Sequence, residues 1–447
     1  MRVIVIGAGE VGYYLAERLS LEGHDIAVIE QDAERLHDMK RRLDVLTVHG
    51  SGSSPSALEA AGISSCSVLV AVTSTDETNL MACWMARQAS AASTVVRLES
   101  EELRGPAGEE LCAAMGVDIV IDPDSETVDE ILELIEVPGM AEIARMVGGE
   151  VSVFGARVPD GAPIVGRSLK EVGRSHEPDW QFLFGVITRD GAAFVPRGDY
   201  HIEAGDFVRV ICMEQAREEL LELLGLHELT PRRVMVLGGG RTGQLVAAAL
   251  AARGTHVTVV EGNEHRAKEL AESLVGANVI HGDITDSSLL SEEGVGAADV
   301  VVALTGEDDA NILACLFAKS EGARETIAVV HRLELLPLLP RVGVDIALSP
   351  RTASANAVLR AVRGGVDAVA IVLEGDAEVV QLEVAAGSPA DGTALDELHL
   401  PKDVLVGAVV RDGAGQIARG RTRLLAGDRL VIFSLPRAIE RVRQVFG

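Results

Sequence analysis

The sequence predicts an α/β fold built twice: two Rossmann-like, doubly wound parallel-sheet domains, each followed by a small α+β domain. Three observations carry this expectation. The chain repeats itself, each repeat opens with short apolar runs alternating with amphipathic segments of helical length, and the first run of each repeat leads into a glycine-rich turn. With 447 residues, the chain has room for three or four units of about 150 residues or fewer.

The repeat is explicit. At a shift of 231, Val3 to Glu30 aligns with Val234 to Glu261, with ten identities in 28 positions and no gap. At a shift of 232, Val68 to Arg87 aligns with Val300 to Lys319, with nine identities in 20. At a shift of 222, Ile187 to Ile211 aligns with Val409 to Phe433, with nine in 25. One two-part unit is therefore written twice.

In the first copy the apolar runs are Val3 to Ile6, Asp25 to Ile29, Val45 to Val48, Val68 to Val72, Thr94 to Leu98 and Ile119 to Ile121, which read as six strands with helical crossovers. The second part reads as a small sheet: Val151 to Val158, Phe182 to Ile187, Ala193 to Val195 and Phe207 to Ile211, with turns at Arg189-Asp190-Gly191 and Ala204-Gly205-Asp206. It recurs from Val379 to Val384 through Leu430 to Phe433. The domain boundaries follow. Residues 1–123 and 232–350 are the parallel-sheet domains, and 150–228 and 366–447 are the small domains. Residues 124–149 and 351–365 are connectors of mostly helical pattern, the first broken by a hinge at Pro138-Gly139.

The strongest chemical signal is the loop Gly7-Ala8-Gly9-Glu10-Val11-Gly12, which follows a strand and opens a helix, with Glu30 at the end of the next strand. Gly7 permits the tight turn, Gly9 lets a pyrophosphate approach the backbone and Gly12 allows close helix packing. The helix N-terminus supplies amide donors, and Glu30 can accept from ribose hydroxyls. The second copy repeats the set as Gly238-Gly239-Gly240-Arg241-Thr242-Gly243 with Glu261. An acid at that position repels a 2'-phosphate, leaving NAD, ATP or ADP as ligands. Thr73 and Ser74, with Thr305 and Gly306 in the second copy, follow the fourth strand at the ligand edge of the sheet. Arg97 and Arg332 end the fifth strand's run, within reach of phosphates. Asp76 and Asp308 read as helix caps or ligand contacts, with Asn79 and Asn311 recurring beside them.

Other classes recede. Acidic residues number 68 against 40 basic, a formal net charge of -28, which disfavours nucleic acid as a partner. The N-terminus runs straight into Val3 to Ile6 without a secretory pattern and no uncharged apolar run reaches membrane-spanning length, so a cytoplasmic protein is expected. Five scattered cysteines without a CxxC pair predict reduced, buried thiols, and no metal site is expected. His49 and His281 read as structural histidines. No tyrosine is followed by lysine at the Tyr-x-x-x-Lys spacing, so hydride-transfer chemistry has no acid-base pair. A soluble NAD-dependent dehydrogenase with a duplicated cofactor domain is the alternative reading.

Taken together, the two GxGxxG loops with their glutamates, the AVTSTDETNLMAC and ALTGEDDANILAC segments and the RDG and AGD turns resemble the TrkA family across essentially the whole chain. These are the NAD-binding peripheral subunits of bacterial Trk potassium uptake systems. The resemblance implies two regulator-of-K⁺-conductance (RCK) units and a regulatory role without catalysis. It also implies a homo-oligomeric ring, with four chains expected, on the inner face of the membrane beneath a potassium-translocating subunit. NAD(H), ATP or ADP would alter gating. Carried over by position, the contacts are Gly7 to Val11, Glu30, Thr73, Ser74 and Arg97, then Gly238 to Thr242, Glu261 and Arg332. The second site departs by having Gly306 where the first has Ser74. Between the loops, Glu10 is expected to repel phosphate where Arg241 attracts it, which favours ATP at the second site.

Overall fold

The structure, a computed structural model, describes all residues except 22, 90–92, 104–105, 138, 179, 227–230, 363–369, 373–377, 436–437 and 447. Strands β1 (Arg2–Ile6), β2 (Asp25–Glu30), β3 (Leu46–His49), β4 (Val68–Ala71), β5 (Ser93–Arg97) and β6 (Ile119–Ile121) form a parallel sheet of order β3-β2-β1-β4-β5-β6. Three of these, β1, β2 and β4, are apolar along most of their length because helices bury both faces of a parallel sheet.

A first antiparallel sheet follows, made of β7 (Met140–Met146), β8 (Val151–Arg157), β9 (Phe182–Arg189), β10 (Ala192–Phe194) and β11 (Phe207–Met213) in the order β10-β9-β11-β8-β7. The second copy repeats the parallel sheet with β12 (Arg233–Leu237), β13 (His256–Glu261), β14 (Ala277–His281), β15 (Val300–Ala303), β16 (Glu325–Val329) and β17 (Ile346–Leu348), in the order β14-β13-β12-β15-β16-β17. It ends with β18 (Ala370–Val372), β19 (Glu378–Glu383), β20 (Val404–Arg411), β21 (Ala414–Ile417) and β22 (Arg429–Ser434), ordered β18-β19-β22-β20-β21. Among the described residues no helix is long and apolar enough to cross a membrane.

The connector 124–149 differs from its helical expectation. A helix spans Pro123–Glu136, but Met140–Met146 is strand β7, paired antiparallel with β8. Glu142 explains the choice: its carboxylate receives a bidentate pair from Arg209 (2.7 and 2.8 Å), a guanidinium only 1% exposed that would otherwise be buried without a counter-ion. Of the expected hinge, Pro138 lies outside the described residues, and Gly139 adopts φ +89°. In the second connector the helix is Pro350–Val362, and residues 363–365 lie outside the description.

Chain order and packing order also part company. The chain divides into two compact units, residues 1–126 with 350–370, and residues 127–349 with 371–447. Within the first, the helix Pro350–Val362 packs on the helix Glu10–Leu21 and on β5 and β6. Its Arg360 donates to Glu126 at 2.6 Å. Within the second, Val128, Ile131, Leu132, Leu134 and Ile135 are buried with Val234, Val236, Val246, Leu250 and Val300 of the second parallel sheet and its first helix. Each repeat thus supplies its crossover helix to the sheet of the other.

The two small domains, both in the second unit, meet through a reciprocal fit. Gly185 sits at a bulge of β9, and a Cβ there would lie 1.8 Å from the Phe433 ring. Gly407 sits at the matching bulge of β20, and its Cβ would lie 2.0 Å from Ile211. The shift of 222 carries Gly185 to Gly407 and Ile211 to Phe433, so the contact obeys an internal two-fold. Gly185→Ala is expected to cost roughly 3 kcal/mol by overpacking. Denaturant unfolding checks this, and Phe433→Leu in the same chain should recover part of the loss.

One carboxylate in this unit is unusual. Glu325, 3% exposed at the start of β16, accepts from the Gly139 amide at 2.7 Å, while its second oxygen is buried without a partner. Burial pushes its carboxyl up to about 7. A carboxyl raised in the folded state stabilises it below the ordinary carboxylate range and loses that contribution as pH rises through about 7, a change on the order of 3 kcal/mol. Thermal melts of the natural chain should therefore weaken from pH 5 to pH 8. Glu325→Gln should flatten that trend and melt higher than the natural chain at pH 8.

Candidate functional site

In both parallel sheets the first strand delivers the glycine loop to the edge where a doubly wound sheet binds ligands. Gly7 takes φ +103° and donates to the Ile29 carbonyl at 2.8 Å, and Gly238 takes φ +112° and donates to Val260 at the same distance. Gly12 and Gly243 let the helix cross its own loop closely, since a Cβ at these positions would sit 1.9 and 2.0 Å from the carbonyl oxygens of Gly7 and Gly238. At Gly9 the nearest atom to a Cβ is the Arg35 Nη1, 3.9 Å away, and at Gly240 nothing lies within 4 Å. The middle glycine of each loop therefore faces open space, where the helix's first amides have no carbonyl of their own to bond.

Glu30 and Glu261 are tied to these loops. One Glu30 oxygen accepts from the Ala8 amide at 2.6 Å, and the other from the amides of Gln31 (2.7 Å) and Asp32 (2.9 Å). Glu261 accepts from Gly239 (2.7 Å) and Asn263 (2.7 Å) in the same way. Each carboxylate is held at the loop with acceptor capacity remaining, which suits paired ribose hydroxyls and opposes a phosphate on the 2' oxygen.

Thr73 and Thr305 stand against the first glycines, with methyl groups 3.1 and 3.0 Å from where Cβ atoms of Gly7 and Gly238 would be. They are fixed by Asn79 and Asn311, both fully buried. The Asn79 side-chain oxygen accepts from the Thr73 amide (3.0 Å) and hydroxyl (2.6 Å), and its nitrogen donates to the carbonyls of Thr73 and Arg97 (3.0 Å each). Asn311 repeats this with Thr305 and Val329. These asparagines are clips that hold the loop after the fourth strand, with no capacity left for a ligand. Ser74 and Gly306 are exposed beside them.

Several expected contacts are differently employed. Asp76 and Asp308 are not caps, since the cap positions are Thr75 and Glu307. Asp76 accepts from the amides of Glu99 and Ser100, and Asp308 from those of His331 and Arg332, so each pins the loop after the fifth strand. Burial pushes the Asp308 carboxyl up, but those donors outweigh it and hold it down at about 2. Arg97 pairs with Glu99, and Arg332 with Asp308 and Asp309, so both guanidiniums rest on carboxylates. Glu10 is paired with Arg351, which cancels the repulsion expected of it. Arg241 and Thr242 open the second loop's helix, half-buried.

A pair of residues escaped the sequence reading. Arg35 and Arg266, in the helices Ala33–Arg42 and Glu264–Ser273, stand over the glycine loops, with Arg266 donating to the Gly239 carbonyl at 3.1 Å and to Gln244 at 2.7 Å. Asp32 and Asn263 cap these helices and so set where the arginines emerge. The recurrence of arginine at the shift of 231 was the available signal. All five cysteines are buried and free, and burial pushes Cys83, Cys212 and Cys315 up to about 12, where a thiol is inert. His49 and His281 bond the carbonyls of Gln31 and Gly262.

The family described as the TrkA-N domain matches residues 3–123 and 234–350, and the TrkA-C domain matches 153–225 and 379–447. The chain belongs to the TrkA family. The Trk system potassium uptake protein TrkA of Azorhizobium caulinodans is 32% identical over 452 residues, covering 100% of this chain and 98% of that one. The TrkA homolog of Archaeoglobus fulgidus is 34% identical over 447 residues, covering both in full. Among solved structures, the GsuK RCK domain superposes with TM-score 0.59 at 17% identity, covering 100% of this chain and 94% of that one. The GsuK channel bound to NAD superposes with TM-score 0.60 at 16% identity, covering 100% and 78%. These likenesses show that TrkA-family chains and the RCK domain share this fold.

Asn79→Asp tests the clip, because it replaces the amide nitrogen by an oxygen facing two carbonyls. A loss of about 3 kcal/mol is expected by denaturant unfolding, and the same at Asn311→Asp.

Proposed function

We propose that this chain is the nucleotide-sensing regulatory subunit of a Trk-type potassium uptake system, acting as a ring against a membrane-embedded potassium-translocating subunit. The observation that carries the reading is the duplicated loop site: an open middle glycine at a helix N-terminus, with a carboxylate hydrogen-bonded to the loop amide, twice in one chain. Gly7, Ala8, Gly9, Glu10, Val11 and Gly12 receive the pyrophosphate of the first nucleotide, and Gly238, Gly239, Gly240, Arg241, Thr242 and Gly243 that of the second. Glu30 and Glu261 take the riboses, Thr73, Ser74 and Thr305 line the far side, and Arg97 and Arg332 lie at its margin. NAD(H), ATP and ADP all fit this chemistry. The GsuK channel, of the same fold, is bound to NAD.

The mechanism is differential binding. A nucleotide shifts the chain between conformations only by preferring one of them. The first site touches the crossover helix of the second repeat through the Glu10–Arg351 pair, so a ligand there acts directly on that helix. Family membership and the absence of a Tyr-x-x-x-Lys pair support regulation without turnover.

The test is calorimetry of the full chain with NAD, NADH, ATP and ADP. Gly9→Asp and Gly240→Asp should each remove one binding event, because a carboxylate would occupy the anion position. Both fit the fold: neither glycine has positive φ, and the space beside each is open. Unchanged stoichiometry and affinity in both variants would overturn the site, and NADH oxidation with a small hydroxy or keto acid would overturn the regulatory reading.

A further inference from the structure

The first nucleotide site has a charged neighbour that comes from the second repeat. Glu10, the first residue of the loop helix, forms an ion pair with Arg351, in the first turn of the crossover helix Pro350–Val362. Both side chains are partly accessible, at 49% and 33%. The two helices pack along each other and their first turns meet in this ion pair, so the loop helix's N-terminus and the Arg351 guanidinium lie together beside Gly9. Arg35 adds a second guanidinium, its Nη1 3.9 Å from the Cβ position of Gly9 and its Nε 3.7 Å from Asp32. Glu10, the first residue of the loop helix, is the carboxylate on which Arg351 rests. A nucleotide phosphate is a carboxylate's natural competitor for arginine, with more charge and with oxygens that match a guanidinium's fork.

We infer that Arg351 is a phosphate-reading residue of the first site, held by Glu10 in the empty site and transferred to the nucleotide's terminal phosphate when ligand binds. The inference rests on the nucleotide reading of the loop. It makes the first site composite, since the residue that distinguishes phosphate-rich ligands is carried by the helix leading into the second small domain. Binding then exchanges a tether between two helices for a tether between helix and ligand, which gives phosphate number a direct hold on the crossover. The sequence adds an independent mark. In the other repeat, the positions corresponding to Glu10 and Arg351 hold Arg241 and Asp124, the same pair of charges exchanged.

The experiment uses the full chain carrying Gly240→Asp, which leaves the first site alone to titrate, and measures adenosine, NAD, ADP and ATP by calorimetry. Arg351→Gln is expected to weaken ADP and ATP about five- to tenfold and to leave adenosine within twofold. Glu10→Gln should strengthen ADP and ATP a few-fold by releasing Arg351. The decisive arm is Arg351→Gln on top of Glu10→Gln. If Arg351 reads phosphate, the five- to tenfold loss persists there, and Arg351→Lys recovers part of it. If Arg351 only neutralises Glu10, the loss vanishes, and the inference is overturned. An equal loss for adenosine and ATP, or a shift in melting temperature with no change in affinity, also overturns it, because either marks a brace between helices. Should the parent chain bind none of the four ligands, the nucleotide reading falls with it, whereas normal binding with silent Arg351 variants removes this inference alone.

Discussion

Everything in this chain depends on where the crossover helix Pro123–Glu136 buries its apolar stripe. Val128, Ile131, Leu132 and Ile135 are placed on one face by helical periodicity. The stripe goes to Val234, Val246, Leu250 and Val300 of the second repeat, and the second repeat's own crossover returns to the first. The stripe's four buried aliphatic side chains amount to on the order of 8 kcal/mol of hydrophobic stabilisation. That is comparable to the net stability of a domain, so the exchange is not a decoration on two separable repeats.

The exchange also explains why the site is assembled as it is. The glycine loop and Glu30 are local: neighbouring strands of one sheet bring them together, and the hydrogen bond from the Ala8 amide closes the contact. The groups that surround the loop are not local. Asn79 reaches from the fourth strand's helix to Thr73 and across to Arg97, and Arg351 arrives from the other repeat altogether. A backbone cradle fixes what class of ligand is received, while the long side chains around it fix how strongly charge is read, because a guanidinium in partial solvent contributes only modestly and competes among several acceptors.

The small domains show a second use of symmetry. Gly185 and Gly407 interrupt otherwise apolar strands, where a glycine ordinarily weakens the ladder. Their role is visible only once Phe433 and Ile211 are seen filling the space that a methyl group would occupy. Likewise Glu142 is one acid among 68 in the sequence, and only the burial of Arg209 opposite it explains why residues 140–146 are extended and not helical.

By itself the sequence determined what depends on short separations and on pattern. It gave the duplication, the six strands of the first parallel sheet, the order of large and small domains, the tight turns at the first glycine of each loop and the acid one strand away, because periodicity, turn chemistry and a fixed spacing are properties of contiguous residues. The tertiary structure decided which sheet each crossover helix covers, which carboxylates Arg97, Arg332 and Arg351 rest on, and that Asp76 and Asp308 pin a loop across the sheet edge instead of capping their own helices. Charges of one sign recur too often along an acidic chain for spacing to choose among partners. The choice falls to whichever oxygen lies within about 3 Å once the apolar faces are buried, and that is settled only when the chain is folded.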